Sequence, residues 1–209
     1  MPPLATEFAT RISPAIHIAT IVEELRVDPN IGKGVRARLT AYRCRLIYEL
    51  AYLRLFGIWE QFLEDILLRY VCGYTFGNFA NVVRNGPTPT LVAGKARLLA
   101  NRDYVLLHNP GAVLSHLNRL FHPGDFYQVV QSFQQPLEDF AAIRHRIAHT
   151  HEDARQKFDD TCIDLVTKRF PGSRPGFLLR EWTTFGGLNV RWLDRIGKEL
   201  TNIAYQLAP

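Results

Sequence analysis

What this chain lacks narrows it first. Its 209 residues hold no apolar run near the ~18 that a bilayer-spanning helix needs, so no membrane partner is expected. Cysteine is scarce. Cys44, Cys72 and Cys162 stand far apart, with no CxxC pair and no zinc-finger spacing, and an odd count argues against a disulfide framework. They read as small buried apolar residues in a reducing compartment. The opening MPPLATEFATRISP has no basic region followed by an apolar core, so no secretory signal is expected and the reading is a cytoplasmic protein. There is no internal repeat, no low-complexity segment, and no stretch alternating strictly enough to demand a sheet. Lysine is sparse too: 20 of the 25 basic residues are arginine, against 20 acidic ones, for a net charge of +5. An arginine-rich basic surface suits phosphate partners better than a lysine-rich one, which lends weak support to a nucleic-acid partner.

What is present is helical periodicity. With 47% hydrophobic and 22% charged residues the composition is that of a folded globular protein, and the length suits one domain over residues 1–209. Residues 1–13 read as an irregular lead-in. Ser13-Pro14 then reads as an N-cap followed by a first-turn proline, opening a helix over about 14–27 that Asp28-Pro29-Asn30 ends. The longest helix is expected over about 35–72, with Leu39, Leu46, Ile47, Leu50, Leu53, Phe56, Leu63 and Leu67 recurring at helical spacing. Gly57 is its weak point, a place for a close approach or a bend. Residues 72–94 lose the periodicity and read as a long connection. Its aromatics Tyr74, Phe76 and Phe79 either pin that loop to the core or stack on bases. Short helices follow over about 88–107, 110–121 and 124–134, the first break falling at His108-Asn109-Pro110. A helix from Pro136 to near His149 and another over 151–169 come next. Residues 171–188 form a Pro/Gly-rich connection, in which 177–185 can make a short strand or hairpin. A last helix covers about 189–207. The expected architecture is an all-helical bundle with long central helices and an irregular insertion.

Two features carry chemistry. Arg144-His145-Arg146-Ile147-Ala148-His149 places an arginine and a histidine with four residues between them. Arginine grips a phosphate with paired hydrogen bonds, and histidine accepts and donates a proton near neutral pH. Beside a ribose phosphate, these are the minimal parts for RNA cleavage. On an ideal helix residues five apart are separated by about 140°, so the two would flank a groove. Glu60 lies seven positions after Leu53 and fourteen after Leu46, on an otherwise apolar face, and needs a partner: either a core-edge arginine, or Arg144 or another site residue, which it would orient. His145 and His149, four apart, share a helix face as a metal pair would. Arg146, however, stands where a zinc-protease signature has glutamate, and Glu152 and Asp153 are forced third ligands, so no metal or other cofactor is expected. His108, His116 and His122 read as surface or boundary histidines.

The RHRIAH motif inside a helical bundle resembles the HEPN superfamily, with His145 in a slot commonly held by asparagine. WEQFLEDIL resembles the second helix of HEPN domains, and PGFLLREW with RWLDRIGKELTNIAYQLA resembles the tail of members linked to prokaryotic defence and toxin–antitoxin loci. The resemblance covers about 36–207. It implies a metal-independent endoribonuclease, a toxin or phage-defence effector, acting on RNA as a homodimer whose two motifs form one composite site, with an antitoxin or neighbouring-gene protein as a further partner. Arg144 and His149 would be catalytic, with His145, Arg146 and Glu60 in support. The alternative is a non-catalytic nucleotide- or RNA-binding domain, and a helical interaction protein remains open.

Overall fold

The computed structural model describes residues 3–74, 86, 89–99, 107–122 and 124–208. Among them the chain is all-α, with ten α-helices and one two-stranded hairpin. The helices are α1 Leu4–Val27, α2 Lys33–Arg38, α3 Ala41–Val71, α4 Leu91–Leu99, α5 Pro110–Leu120, α6 Asp125–Ser132, α7 Gln134–Ala148, α8 Glu152–Val166, α9 Pro175–Arg180 and α10 Trp192–Leu207. No described helix is long and apolar enough to cross a membrane. The chain divides into two compact units, and the division falls inside α1, α3, α7 and α10.

The first unit takes residues 1–9, 58–141 and 200–209. Its interior is aromatic. Phe8 meets Trp59 edge-on at 5.7 Å, and Trp59 stacks on Phe62 at 5.5 Å. Tyr70 packs against Phe126 and Phe121, and its hydroxyl donates to the Leu207 carbonyl at 3.1 Å. That bond satisfies the one polar atom that a buried tyrosine brings inside. Asn109 caps α5, its Oδ1 accepting from the Ala112 amide, with Pro110 at the first helical position, at the expected break.

The second unit takes residues 10–57 and 142–199. Tyr48, Tyr52, Leu55, Phe56, Phe158, Cys162, Leu178, Leu179 and Ile196 are buried there. Gly176 is needed where it stands: a Cβ on it would lie 2.7 Å from the Arg45 carbonyl oxygen. Arg180 grips Glu23 with two bonds, from Nε at 2.8 Å and Nη2 at 2.6 Å. Burial raises the Glu23 pKa, but the bond and charge of Arg180 outweigh it and hold the carboxyl below its ordinary range.

Several expectations are corrected. Residues 4–13 are not an irregular lead-in: α1 starts at Leu4 and carries Pro14 in its interior. Leu4, Phe8 and Ile12 recur every fourth residue and are all buried. Each is worth about 1.5–3 kcal/mol, together more than the ~3 kcal/mol a mid-helix proline costs. The expected helix over 35–72 is two helices: α2 ends at Arg38 with Leu39 out of helical conformation, and Thr40 caps the next, its Oγ1 accepting from the Arg43 amide at 3.3 Å. Leu46 and Leu50 are exposed, and the buried face of α3 runs instead through Cys44, Tyr48, Tyr52, Leu55 and Trp59. Gly57 faces open space rather than a close neighbour. His116 is buried, with Arg119 on its Nδ1 at 2.9 Å. The last helix begins at Trp192, because 188–191 is the second strand of a hairpin. β1 Trp182–Phe185 and β2 Leu188–Arg191 pair antiparallel, turning on Gly186 and Gly187, both at positive φ. Phe76 and Phe79 lie outside the described residues, and Tyr74 is exposed.

Candidate functional site

Arg144, His145, Arg146 and His149 belong to the second unit, at the C-terminal end of α7; Glu60 belongs to the first. The motif is helical because Leu137, Phe140 and Ile143 bury one side of α7. The helix persists to the end of the motif, the His149 amide still donating to the His145 carbonyl at 2.9 Å. Arg144 is half-buried and His149 exposed, so neither is sealed in the apolar interior.

Arg146 is engaged with the backbone. Its Nε donates to the Ser173 carbonyl at 2.9 Å and its Nη1 to the His149 carbonyl at 3.0 Å. It therefore ties the open end of α7 to the turn at Pro171–Ser173, which the sequence reading did not foresee. Ser173 is buried at positive φ, and its hydroxyl donates to Asp159 of α8 at 2.9 Å. Arg155, on α8, donates from Nε to the same hydroxyl at 3.3 Å. This small net joins α7, α8 and the turn, and fixes where the motif ends.

Glu60 lies 3.5 Å from Nδ1 of His108, both half-exposed. His108 was not among the partners anticipated for it.

Three imidazoles gather at the α7–α8 junction. The His145 ring centroid lies 4.6 Å from that of His149 and 5.2 Å from that of His151, and the last two are 5.5 Å apart. His151 is the functional candidate that sequence reasoning missed. It is the N-cap of α8, its Nδ1 accepting from the Ala154 amide at 3.3 Å. A histidine two residues past the motif, at a helix start, was the available signal. The turn through Thr150 folds its ring back onto α7. His145 has its pKa lowered, by burial first and then by the nearby His149, His151 and Lys157, with Asp153 opposing. Its neutral form is thus favoured at neutral pH. Ligand atoms of His145, His151 and Asp153 lie within 4.8 Å of one another.

A pocket of about 340 Å³ in the same unit is lined in part by Glu23, Tyr48, Trp182, Arg191 and Asp194. None of the motif residues line it, and three carboxylates, those of Glu23, Glu24 and Asp194, suit it poorly to a phosphate backbone. Comparison with protein families, with curated proteins and with solved structures yields no match to this chain. Its chemistry rests on the residues themselves.

Proposed function

We propose that this chain is a metal-independent endoribonuclease of HEPN type, a toxin or phage-defence effector that works as a homodimer. The observation that carries the reading is the accessible end of α7, where the motif's arginine and histidine stand on the last turns, outside the apolar core. RNA supplies its own nucleophile, so no activated water is required. One His149 takes the proton from the ribose 2′-hydroxyl as its oxygen attacks phosphorus. The bond from phosphorus to the 5′-oxygen breaks, and the partner subunit's copy of the motif supplies the proton that the leaving oxygen takes up. The products carry a 2′,3′-cyclic phosphate and a 5′-hydroxyl. Arg144 neutralises charge growing on the non-bridging oxygens. His145, held toward its neutral form by burial, shares the proton traffic as an acceptor.

The test is cleavage of RNA by the purified chain in EDTA, with the ends of the products identified. Arg144→Ala and His149→Ala should each cut the rate at least about 100-fold while thermal unfolding stays that of the wild type. A 2′-deoxy substitution at the scissile position should abolish cleavage. Binding without cleavage in the wild type would replace this reading with a non-catalytic RNA-binding domain. Neither binding nor cleavage would leave a helical interaction protein. A monomer at micromolar concentration would remove the composite site.

A further inference from the structure

We propose that His145, His151 and Asp153 form a binding site for one divalent transition metal of the zinc class, bridging the end of α7 and the start of α8. The proposal goes beyond the ribonuclease reading and does not depend on it: an ion bound here takes the His145 nitrogen that cleavage would use as a proton acceptor, so the two describe alternative states of the site.

The sequence pairing of His145 with His149 on one helix face is not the set that converges. The convergent set straddles the helix break: one ligand from the last turn of α7, one from the N-cap of α8 and one from the first turn of α8. Tetrahedral zinc with bonds of about 2.0–2.1 Å needs ligand atoms about 3.3 Å apart. The ligand atoms here lie within 4.8 Å, and His151 and Asp153 are exposed, so side-chain rotation alone closes the remaining gap. Two imidazoles with one carboxylate select zinc, cobalt or nickel over magnesium and calcium, which prefer oxygen alone. The fourth position falls to water, and His149, the proposed general base, stays outside the ligand set.

Two local features set the terms. Lys157 Nζ lies 3.1 Å from Asp153 Oδ2, so an ammonium now holds the carboxylate and competes with the ion. The Arg146 guanidinium, the cation that weighed against a metal in the sequence, is directed to the backbone carbonyls of His149 and Ser173. Because Nδ1 of His151 accepts from Ala154, ligation either uses Nδ1 itself or uses Nε2 with the proton moved to Nδ1, and both take Nδ1 from the cap. Metal uptake is therefore coupled to the start of α8.

The experiment is calorimetric titration of the untagged, metal-stripped full chain with zinc chloride, without RNA, paired with the visible absorption of added cobalt. One ion per chain is expected. His145→Ala and Asp153→Asn should each weaken binding by at least about tenfold and dim the cobalt spectrum. His17→Ala, which removes an exposed histidine of α1, should bind as the wild type does. Lys157→Gln, which removes the competing cation, should bind more tightly. No uptake of either ion, or uptake that His145→Ala and Asp153→Asn leave unchanged, overturns the proposal. So does binding lost equally in His17→Ala, which would be adsorption to surface histidines. Asp153 is exposed, so Asp153→Asn keeps the test valid should His145→Ala fold poorly. An inactive nuclease that still takes up the ion leaves the proposal standing.

Discussion

Arg146→Met separates two roles for the motif's second arginine. The substitution keeps most of the stem and deletes the charge, so it removes the bonds to the Ser173 and His149 carbonyls with little change in packing. A hydrogen bond from a charged donor contributes about 1.5–3 kcal/mol in a protected site. The Ser173 bond qualifies, since Ser173 is buried. The His149 bond is at an exposed helix end and is discounted heavily for solvent. The sum is about 2 kcal/mol. For a chain of this length that lowers Tm by roughly 4–8 °C, read by circular dichroism at fixed pH and salt. If Arg146 instead held a phosphate, Tm would stay put. The salt dependence of RNA binding would then flatten by about 0.7 in logarithmic slope, one single-strand contact. A Tm change under about 1 °C together with that flattening refutes the backbone-tether account.

Pro14→Ala should stabilise the chain by about 1–3 kcal/mol in urea unfolding, since it restores an amide donor inside α1 and removes a ring from its interior. An unchanged midpoint would mean that α1 is not continuous through Pro14. Glu23→Gln tests the pair with Arg180. The folded carboxyl titrates below its ordinary 4.5, so the pair's contribution is fully present above that pH and is lost as pH falls through the folded value. The wild type should lose stability on acidification below about pH 4.5 more steeply than Glu23→Gln. At pH 7 the variant should be weaker by about 2 kcal/mol, less than a fully buried pair would lose because both side chains keep some exposure. Parallel pH profiles for the two proteins would show that the pair contributes nothing.

The helices were legible wherever a boundary had a chemical marker. Asn109-Pro110 opens α5 and Asp28-Pro29-Asn30 follows α1, and both stand where the residues put them. Misreadings share one physical origin: a local signal outvoted by burial elsewhere. Ser13-Pro14 has the chemistry of a helix start, yet Leu4, Phe8 and Ile12 supply more free energy than the proline withdraws. In α3 leucines compete with tyrosines for the inner face. Counting leucine as core and tyrosine as boundary picks Leu46 and Leu50, whereas Tyr48 and Tyr52 are 1% and 0% exposed. A tyrosine buries about as much apolar surface as a leucine and more, so hydropathy ranks the wrong stripe first. A strand or hairpin was expected over 177–185, but 175–180 is α9 and the hairpin runs over 182–191; strands of four residues are too short for alternation to fix their bounds, although Gly186-Gly187 was a turn signal.

At the motif, the sequence supplied the residue types and one helix their order, but the geometry depends on where that helix stops. Spacing pairs His145 with His149 on one helix face, and the residues also marked a helix end near His149; what they did not give is the path of the turn at Thr150. It brings His151 back over α7, and it leaves carbonyls at the helix end that need a donor, which Arg146 supplies. The same turn thus makes one supporting arginine a tether and one unremarked histidine a candidate ligand. A variant that carries α7 through into α8, such as Thr150→Ala with His151→Ala, should separate the rings and loosen the Ser173 turn together. A change that moved only one would mean the two features are independent.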